Sequence, residues 1–246
     1  MASCFVVTDV ETTGLNTTYD RIVSIAASCR GQEFTELVNP GRRIPSNAVK
    51  VHGITDAAVR LQPRWDVVGA RYWAWLDARR VEAGADTVVL VIHNATFDTR
   101  IIASEMARIR TANALAPIPM EVVDTLRVCR ARLKLLPRHR QADVYRHLFH
   151  EEAPAQHDAL GDVRALERIC AHPDIARGME SFRKPISLLP ARPAASPPPA
   201  AAPKAPPPAA APKAPPPAAA AAGPGGPPAC AACGSRYSPH FKHACA

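Results

Sequence analysis

Residues 4–15 of the chain read CFVVTDVETTGL. An apolar, β-branched run is followed by Asp9 and Glu11, which are two residues apart and therefore project from the same face of a strand. Neighbouring carboxylates that are poorly hydrated repel each other and need a cation or protons. The segment predicts the first strand of a sheet with a charged site at its end, although the pair alone also fits ordinary strand-end acids that face solvent.

The remaining pattern indicates an α/β protein. Residues 87–92 form an almost wholly apolar run, which is typical of a strand in the middle of a sheet covered on both faces. Strands come first and then alternate with helices, which predicts one central mixed sheet flanked by helices. The other predicted strands are 22–29 and 34–38, and the predicted helices are 65–83, 95–109, 125–133, 142–149 and 157–171.

Two further clusters carry acids. Residues 92–98 read IHNATFD and open a helix beyond the buried strand, where α/β sheets often place functional groups. A favourable interaction with the helix dipole would also explain Asp98. Residues 157–163 read HDALGDV; on a helix, His157 and Asp162 would lie about 140° apart. We expect both to border a cleft if His157 lies at the helix start, the alternative being an ordinary histidine and acid on the helix surface.

Together the clusters contribute four carboxylates and one imidazole. Oxygen ligands suit hard cations such as Mg²⁺ or Mn²⁺ rather than Zn²⁺. Two such ions about 3.5–4 Å apart stabilise the attacking and leaving oxygens in phosphodiester cleavage. His157 is then the candidate to take a proton from the attacking water. The predicted catalytic residues are Asp9, Glu11, Asp98, His157 and Asp162.

The three motifs in this order resemble the DEDDh exonuclease family. The first part, including VHGIT at residues 51–55, is similar to the proofreading epsilon subunits of bacterial DNA polymerase III. Residues 157–170 are similar to the Trex-type three-prime repair exonucleases, and the spacing from His157 to Asp162 indicates the histidine branch of the superfamily. The resemblance covers residues 4–171 and implies an RNase H-like fold with 3′→5′ removal of mononucleotides.

The resemblance also implies roles for single residues. Asp9 bridges two Mg²⁺ or Mn²⁺ ions, Glu11 and Asp162 complete the ion on the nucleophile side, Asp98 holds the second ion, and His157 is the general base. The loop after the first strand contacts the terminal nucleotide through Thr12, Thr13 and Gly14, while Leu15 wedges against its base. His52 and Asn94 border the same pocket in one interpretation; in the other, His52 is a turn residue and Asn94 a helix cap.

Several functions remain compatible with this site. We expect a 3′→5′ exonuclease on DNA, with single-stranded or mispaired ends preferred, in proofreading or repair. The alternatives are an exoribonuclease of the same family and a non-catalytic adaptor that grips 3′ ends. The basic residues between 130 and 140 either guide the phosphate backbone into the cleft or form a solvated face.

The chain divides into three parts: an exonuclease domain at 1–184, a linker at 185–229 and a terminal element at 230–246. The linker contains 17 Pro and 17 Ala in 45 residues, with the nonamer APKAPPPAA repeated at 202–210 and 211–219, and we expect it to be disordered. It serves as a spacer or as a binding site for a Pro-binding module. Proofreading would require a polymerase as a partner; the tail is a candidate for that contact and equally a candidate for binding nucleic acid.

The terminal element is rich in cysteine and histidine. Cys230, Cys233, His240 and Cys245 form a candidate C2HC zinc site, in which His243 is an alternative to His240. Incidental thiols in a disordered tail, or an oxidised pair, are the other interpretation.

Charge and hydropathy limit the class of protein. The formal net charge of +8 includes a tail with five basic residues and no acid, which suits a polyanionic partner. No apolar run approaches the length of a transmembrane helix, and residues 1–10 do not resemble a signal peptide. Scattered cysteines without an export signal favour reduced thiols in an intracellular protein, cytoplasmic or nuclear, that is not secreted.

Overall fold

A computed structural model describes residues 2–109, 115–154 and 157–189. Strands are β1 (Ser3–Thr12), β2 (Ile22–Cys29), β3 (Gln32–Leu37), β4 (Thr87–Ile92), β5 (Met120–Asp124) and β6 (Arg183–Ile186). Helices are α1 (Ser46–His52), α2 (Asp56–Val59), α3 (Trp65–Glu82), α4 (Ala95–Arg108), α5 (Thr125–Arg132), α6 (Gln141–Phe149), α7 (Ala159–Ala171) and α8 (Pro173–Met179).

The six strands form one mixed sheet in the order β3-β2-β1-β4-β5-β6. The three inner strands β1, β4 and β5 are parallel, with Val6 opposite Leu90 and Leu90 opposite Val122. The other pairs are antiparallel: β2 with β1, β3 with β2, and β6 with β5. The predicted mixed sheet flanked by helices is confirmed. Because the inner strands are parallel, their carboxyl ends meet at one edge, which is where the predicted acids lie.

Helices cover both faces of the sheet. On one face α3 and α4 pack on alternate strand residues such as Val6, Leu90 and Ile92, all fully buried. On the other face α5 to α8 cover Val7, Val91 and Val123. The apolar β4 is buried on both sides, as the sequence predicts. The scattered cysteines are free thiols, three buried and Cys170 half-buried.

The last predicted helix begins later than expected. It starts at Ala159 rather than at His157, because the side chain of Asp158 caps it by accepting the N–H of Gly161 at 3.0 Å. His157 lies outside the helix with a φ of 61°. The predicted angle of about 140° around one helix therefore does not apply to His157 and Asp162. The two residues are joined instead by a hydrogen bond from the backbone N–H of His157 to the Asp162 carboxylate.

The predicted linker boundary also changes. Residues 183–186 form β6 against β5, and Leu188 is buried in the core. The folded part thus extends past residue 184 into the predicted linker. The rest of that linker and the candidate zinc ligands Cys230, Cys233, His240 and Cys245 lie outside the described residues. Within the described ranges, no helix has the length and apolarity needed to cross a membrane.

Candidate active site

Four predicted acids lie at the edge where the parallel strands end. Asp9 and Glu11 occupy the last part of β1, where a register shift against β2 falls between Glu11 and Thr12. Asp98 is in the first turn of α4 and is 6% exposed. Asp162 is in the first turn of α7 and is half-buried. Two strand positions and two helix starts therefore supply the carboxylates.

Glu11, His157 and Asp162 converge most closely. Each offers one potential ligand atom, and these atoms lie within 4.8 Å of one another. The backbone N–H of His157 donates to Asp162 Oδ2 at 2.8 Å, which joins the exposed histidine to the start of α7. This contact follows from the left-handed backbone of His157, a conformation that the sequence does not signal.

The electrostatic state of the acids reflects their crowding. Burial and the charges of Asp98, Asp162 and Glu11 raise the pKa of Asp9 well above its ordinary value. Burial, followed by Asp162 and Asp98, raises the pKa of Glu11 to about 8. These mutual effects indicate that the four carboxylates share one site.

The other two acids respond in the same direction. Burial raises the pKa of Asp98 to about 7, and the charge of Asp124 adds to the rise. Burial likewise raises the pKa of Asp162, partly offset by the backbone N–H and the charge of His157. Acids that resist ionisation on their own are stabilised as carboxylates by a bound cation, so the donor set fits hard divalent metals.

The loop after β1 is held by hydrogen bonds of its own threonines. The Thr13 side chain is 1% exposed; its hydroxyl donates to Asp20 Oδ1 at 2.9 Å and accepts the N–H of Arg21 at 3.1 Å. The Thr13 hydroxyl is therefore engaged inside the loop, and the contact of this residue with a nucleotide stays a prediction. The hydroxyl of Thr12 likewise donates to the carbonyl of Gly14 at 2.7 Å.

The end of this loop is tightly packed at Gly14 and open at Leu15. A Cβ on Gly14 would lie 2.6 Å from Asp20 Oδ2, so a larger residue would displace that carboxylate. Leu15 is 86% exposed. This exposure leaves an apolar side chain available for contact with a base, which is the role the resemblance implies.

His52 and Asn94 combine features of both interpretations. His52 Nδ1 accepts the N–H of Ile54 at 3.0 Å, as expected of a turn residue. Burial lowers the pKa of His52, and the neighbouring His157 lowers it further, so this side chain also borders the site. Asn94 occupies the cap position of α4 with a left-handed φ of 67°, but its side chain makes no capping hydrogen bond.

Two residues near the site were not predicted. Gln141 Nε2 donates to the carbonyl oxygen of Asp162 at 2.8 Å and to its Oδ1 at 3.1 Å. Asp124, at the end of β5, accepts the N–H groups of Asn94 and Leu126 through Oδ1, both at 3.1 Å. The apolar pair Val122-Val123 before Asp124 is a signal of β5; Gln141 has no comparable local signal.

The basic segment, residues 130–140, is attached to the sheet edge where the acids lie. His93 directly follows β4, and its Nε2 donates to the backbone carbonyl of His139 at 2.8 Å. Arg138 and Arg140, on either side of His139, are exposed. The segment therefore lies beside the acids, which is compatible with the predicted contact with a phosphate backbone.

Comparison with known proteins identifies the family to which the chain belongs. A family profile described as "Exonuclease" (RNase_T) matches residues 6–170. In solved structures, the zinc-bound crystal structure of an E. coli ExoI–ssDNA complex aligns with a TM-score of 0.54 and 19% identity, over 72% of this chain and 42% of that one. This likeness concerns the fold, and it agrees with the predicted RNase H-like architecture.

Relatives that match in sequence include two kinds of DNA polymerase III protein. A PolC-type DNA polymerase III from Oceanobacillus iheyensis is 35% identical over 166 residues, which are 65% of this chain and 11% of the relative. A DNA polymerase III subunit epsilon-like protein from Rhodobacter capsulatus is 43% identical over 106 residues, 40% of this chain and 14% of the relative. The chain thus corresponds to a small part of each of these proteins.

Proposed function

Because the chain belongs to the exonuclease family whose profile matches residues 6–170, we propose that it is a metal-dependent 3′→5′ exonuclease. Its substrate in this proposal is DNA, with single-stranded or mispaired 3′ ends preferred. The observation that carries the proposal is the convergence of Glu11, His157 and Asp162 within 4.8 Å, with Asp9 and Asp98 in the same electrostatic cluster.

The carboxylates are the proposed metal ligands. Asp9, Glu11 and Asp162 would hold one divalent cation, and Asp9 and Asp98 would hold the other. Mg²⁺ or Mn²⁺, when bound, supplies stabilisation of the attacking and leaving oxygens of the phosphodiester. The raised pKa values of Glu11 and Asp98 support this assignment, since a bound cation would offset the burial and the like charges that raise them.

His157 is the proposed proton acceptor. Its side chain is exposed to solvent, so a water molecule can reach the imidazole from outside the acidic cluster. The hydrogen bond from its backbone N–H to Asp162 fixes the position of the residue without using either ring nitrogen. The imidazole is therefore free to take the proton of an attacking water and to pass it to solvent.

Other groups position the substrate in this proposal. Gln141 orients Asp162 through two hydrogen bonds. Leu15 contacts the terminal base from the edge of the loop after β1, and the exposed Arg138 and Arg140 attract the phosphate backbone. The names of the relatives support DNA as the substrate and replication or repair as the setting, with a polymerase as the candidate partner.

The test is digestion of three substrates labelled at the 5′ end: single-stranded DNA, duplex DNA with a mispaired 3′ end, and RNA. Each is incubated with Mg²⁺, Mn²⁺ or EDTA. We expect a metal-dependent ladder that shortens from the 3′ end and is strongest on single-stranded or mispaired DNA. Asp9→Ala and Asp162→Ala should abolish the ladder while circular dichroism shows that the fold is retained.

Two further variants sharpen this test. His157→Asn removes the proton acceptor but suits the left-handed backbone, because Asn tolerates positive φ. It should lose at least a hundredfold in rate, on the order of a general-base contribution, and keep metal binding. The matched control Glu167→Gln, on α7 five residues beyond Asp162, should cleave like the wild type.

Other outcomes select among the alternatives. A stronger ladder on RNA would make the protein an exoribonuclease. Tight binding of 3′ ends with no ladder in Mg²⁺ or Mn²⁺, from protein shown to be folded, would make it an adaptor. Cleavage by Asp9→Ala at the wild-type rate would overturn the proposed metal site.

A further inference from the structure

A second cleft lies beside the loop that follows β1. It has a volume of about 720 Å³ and is lined by three arginines and a tryptophan. Arg21 directly precedes β2, Arg64 directly precedes α3, and Arg108 ends α4. Side chains from three separate elements therefore converge on a cleft that contains none of the predicted catalytic acids.

A buried carboxylate holds two of these arginines in place. Glu105 is fully buried and accepts hydrogen bonds from Arg21 Nη2 at 2.9 Å and from the backbone N–H of Ile22 at 3.3 Å. Arg108 lies 3.6 Å from the same carboxylate. One acid thus fixes two guanidinium groups at the cleft and neutralises one of their two charges.

Arg64 supplies a charge that is not neutralised in this way. It is exposed, and it makes no side-chain hydrogen bond or ion pair with any residue that the structure describes. Its guanidinium lies across Gly41, where an added Cβ would be only 1.8 Å from Nη2. Because Gly41 has no side chain, the Arg64 guanidinium can occupy this position at the cleft.

The start of α3 adds hydrogen-bond donors. No side chain caps this 18-residue helix, so its first backbone N–H groups lack the usual side-chain partner. Trp65 lines the cleft with its ring and is 2% exposed, while its buried indole Nε1 lies against Gly69, where an added Cβ would be 2.8 Å away. The cleft is also lined by Asp66 and Glu105, so three arginines against two acids leave one positive charge.

We propose that this cleft binds a phosphate group of the nucleic-acid strand outside the catalytic centre. Guanidinium groups match the geometry of phosphate, and an uncapped helix N-terminus favours an anion. The cleft adjoins the acids, because the carbonyl of Arg21 accepts the N–H of Thr13, two residues beyond Glu11, at 2.9 Å. That the phosphate belongs to a nucleic acid rests on the proposed function; the affinity for phosphate does not.

Trp65 gives a local test in the full-length protein. The chain has three tryptophans, so a ¹⁵N correlation spectrum contains three indole N–H signals, and Trp65→Phe identifies the one from the cleft. Two probes are titrated in EDTA at constant ionic strength: inorganic phosphate, and a 12-nucleotide oligodeoxythymidylate. We expect a saturable shift of the Trp65 signal, while the signal of Trp73, whose indole donates to the carbonyl of Ala116 at 2.8 Å, stays in place.

A matched pair of variants tests the role of charge. Arg64→Gln should remove the shift and weaken oligonucleotide binding, measured by fluorescence anisotropy in EDTA, by on the order of tenfold. It should also reduce the slope of log affinity against log salt by about 0.7. Arg30→Gln is the control, since Arg30 is also exposed, makes no ion pair with a described residue, and lies at the other end of β2, roughly 30 Å away.

The outcomes separate this proposal from the proposed function. A shift with phosphate but not with the oligonucleotide would assign the cleft to free phosphate or nucleotides, and a shift with the oligonucleotide would assign it to the strand. No Trp65 shift with either probe, or equal binding by Arg64→Gln and wild type, would overturn the phosphate site even if the protein cleaves DNA. If the wild type shows the Trp65 shift but does not cleave DNA, and Arg64→Gln lacks the shift, the phosphate site is supported and the proposed exonuclease function is rejected.

Discussion

The Glu11→Gln substitution removes one charge from the acidic cluster and keeps the shape of the side chain. In the metal-free protein, burial and the charges of Asp162 and Asp98 raise the pKa of Glu11 from 4.5 to about 8. The unfolded chain releases this proton at the lower pH, so at pH 7 ionisation favours unfolding by about 3 kcal/mol. Because Glu11 is half-buried and keeps contact with water, we expect a gain of roughly 1–3 kcal/mol in Glu11→Gln.

Differential scanning calorimetry in EDTA at pH 7 measures this gain. For a domain of this size, each kcal/mol corresponds to a rise in Tm of about 2–4 °C. The control Glu167→Gln should change stability by no more than about 0.5 kcal/mol. Added Mg²⁺ should then stabilise the wild type more than Glu11→Gln, because the variant has lost a ligand and binds the ion less tightly.

Two results would refute this reasoning. A Tm of Glu11→Gln in EDTA at or below that of the wild type would mean that the acids do not repel one another as their geometry indicates. An equal stabilisation of both proteins by Mg²⁺ would mean that Glu11 does not contribute to cation binding.

Three further predictions follow from the site. Metal-free wild type should lose stability between about pH 4 and 8, since in this range the unfolded chain has released the protons that Glu11 and Asp98 still hold in the folded state; thermal melts in EDTA check this, and a flat profile would contradict it. Gly14→Ala should cost about 1–3 kcal/mol and most of the exonuclease activity, because its Cβ would meet Asp20; urea denaturation checks the cost, and the same substitution should cost less in an Asp20→Ala background. Gln141→Leu should raise the Mg²⁺ concentration for half-maximal cleavage at least about tenfold, since Asp162 loses two hydrogen bonds; an unchanged midpoint would exclude a positioning role.

Local patterns in the sequence were sufficient to predict several strands and helices around the first acids. The limits of β2 and β4 agree with the predicted segments, because both are strongly apolar runs bounded by polar residues. The starts of α3 and α4 also agree with the predicted ones. Asp9 and Glu11 lie on β1, the neighbour of β4, and Asp98 lies in the first turn of α4, so the three acids meet at one edge of the sheet.

Short or irregular elements were not predictable in the same way. β5 has five residues and β6 only four, with Pro185 inside it, so neither has a clear alternating pattern. The strand character of β6 comes from pairing with β5, which is distant in sequence. This pairing is the reason that the folded part continues past the predicted boundary at residue 184.

The sequence by itself determined which residues are candidates to hold a cation and to accept a proton, and on which strand or helix most of them lie. Such properties follow from residue type and local periodicity. The tertiary structure decided how His157 meets Asp162, that Gln141 orients Asp162, and that three arginines converge with Trp65 at a second cleft. These contacts join elements far apart in the chain, and their geometry depends on packing that no local pattern encodes.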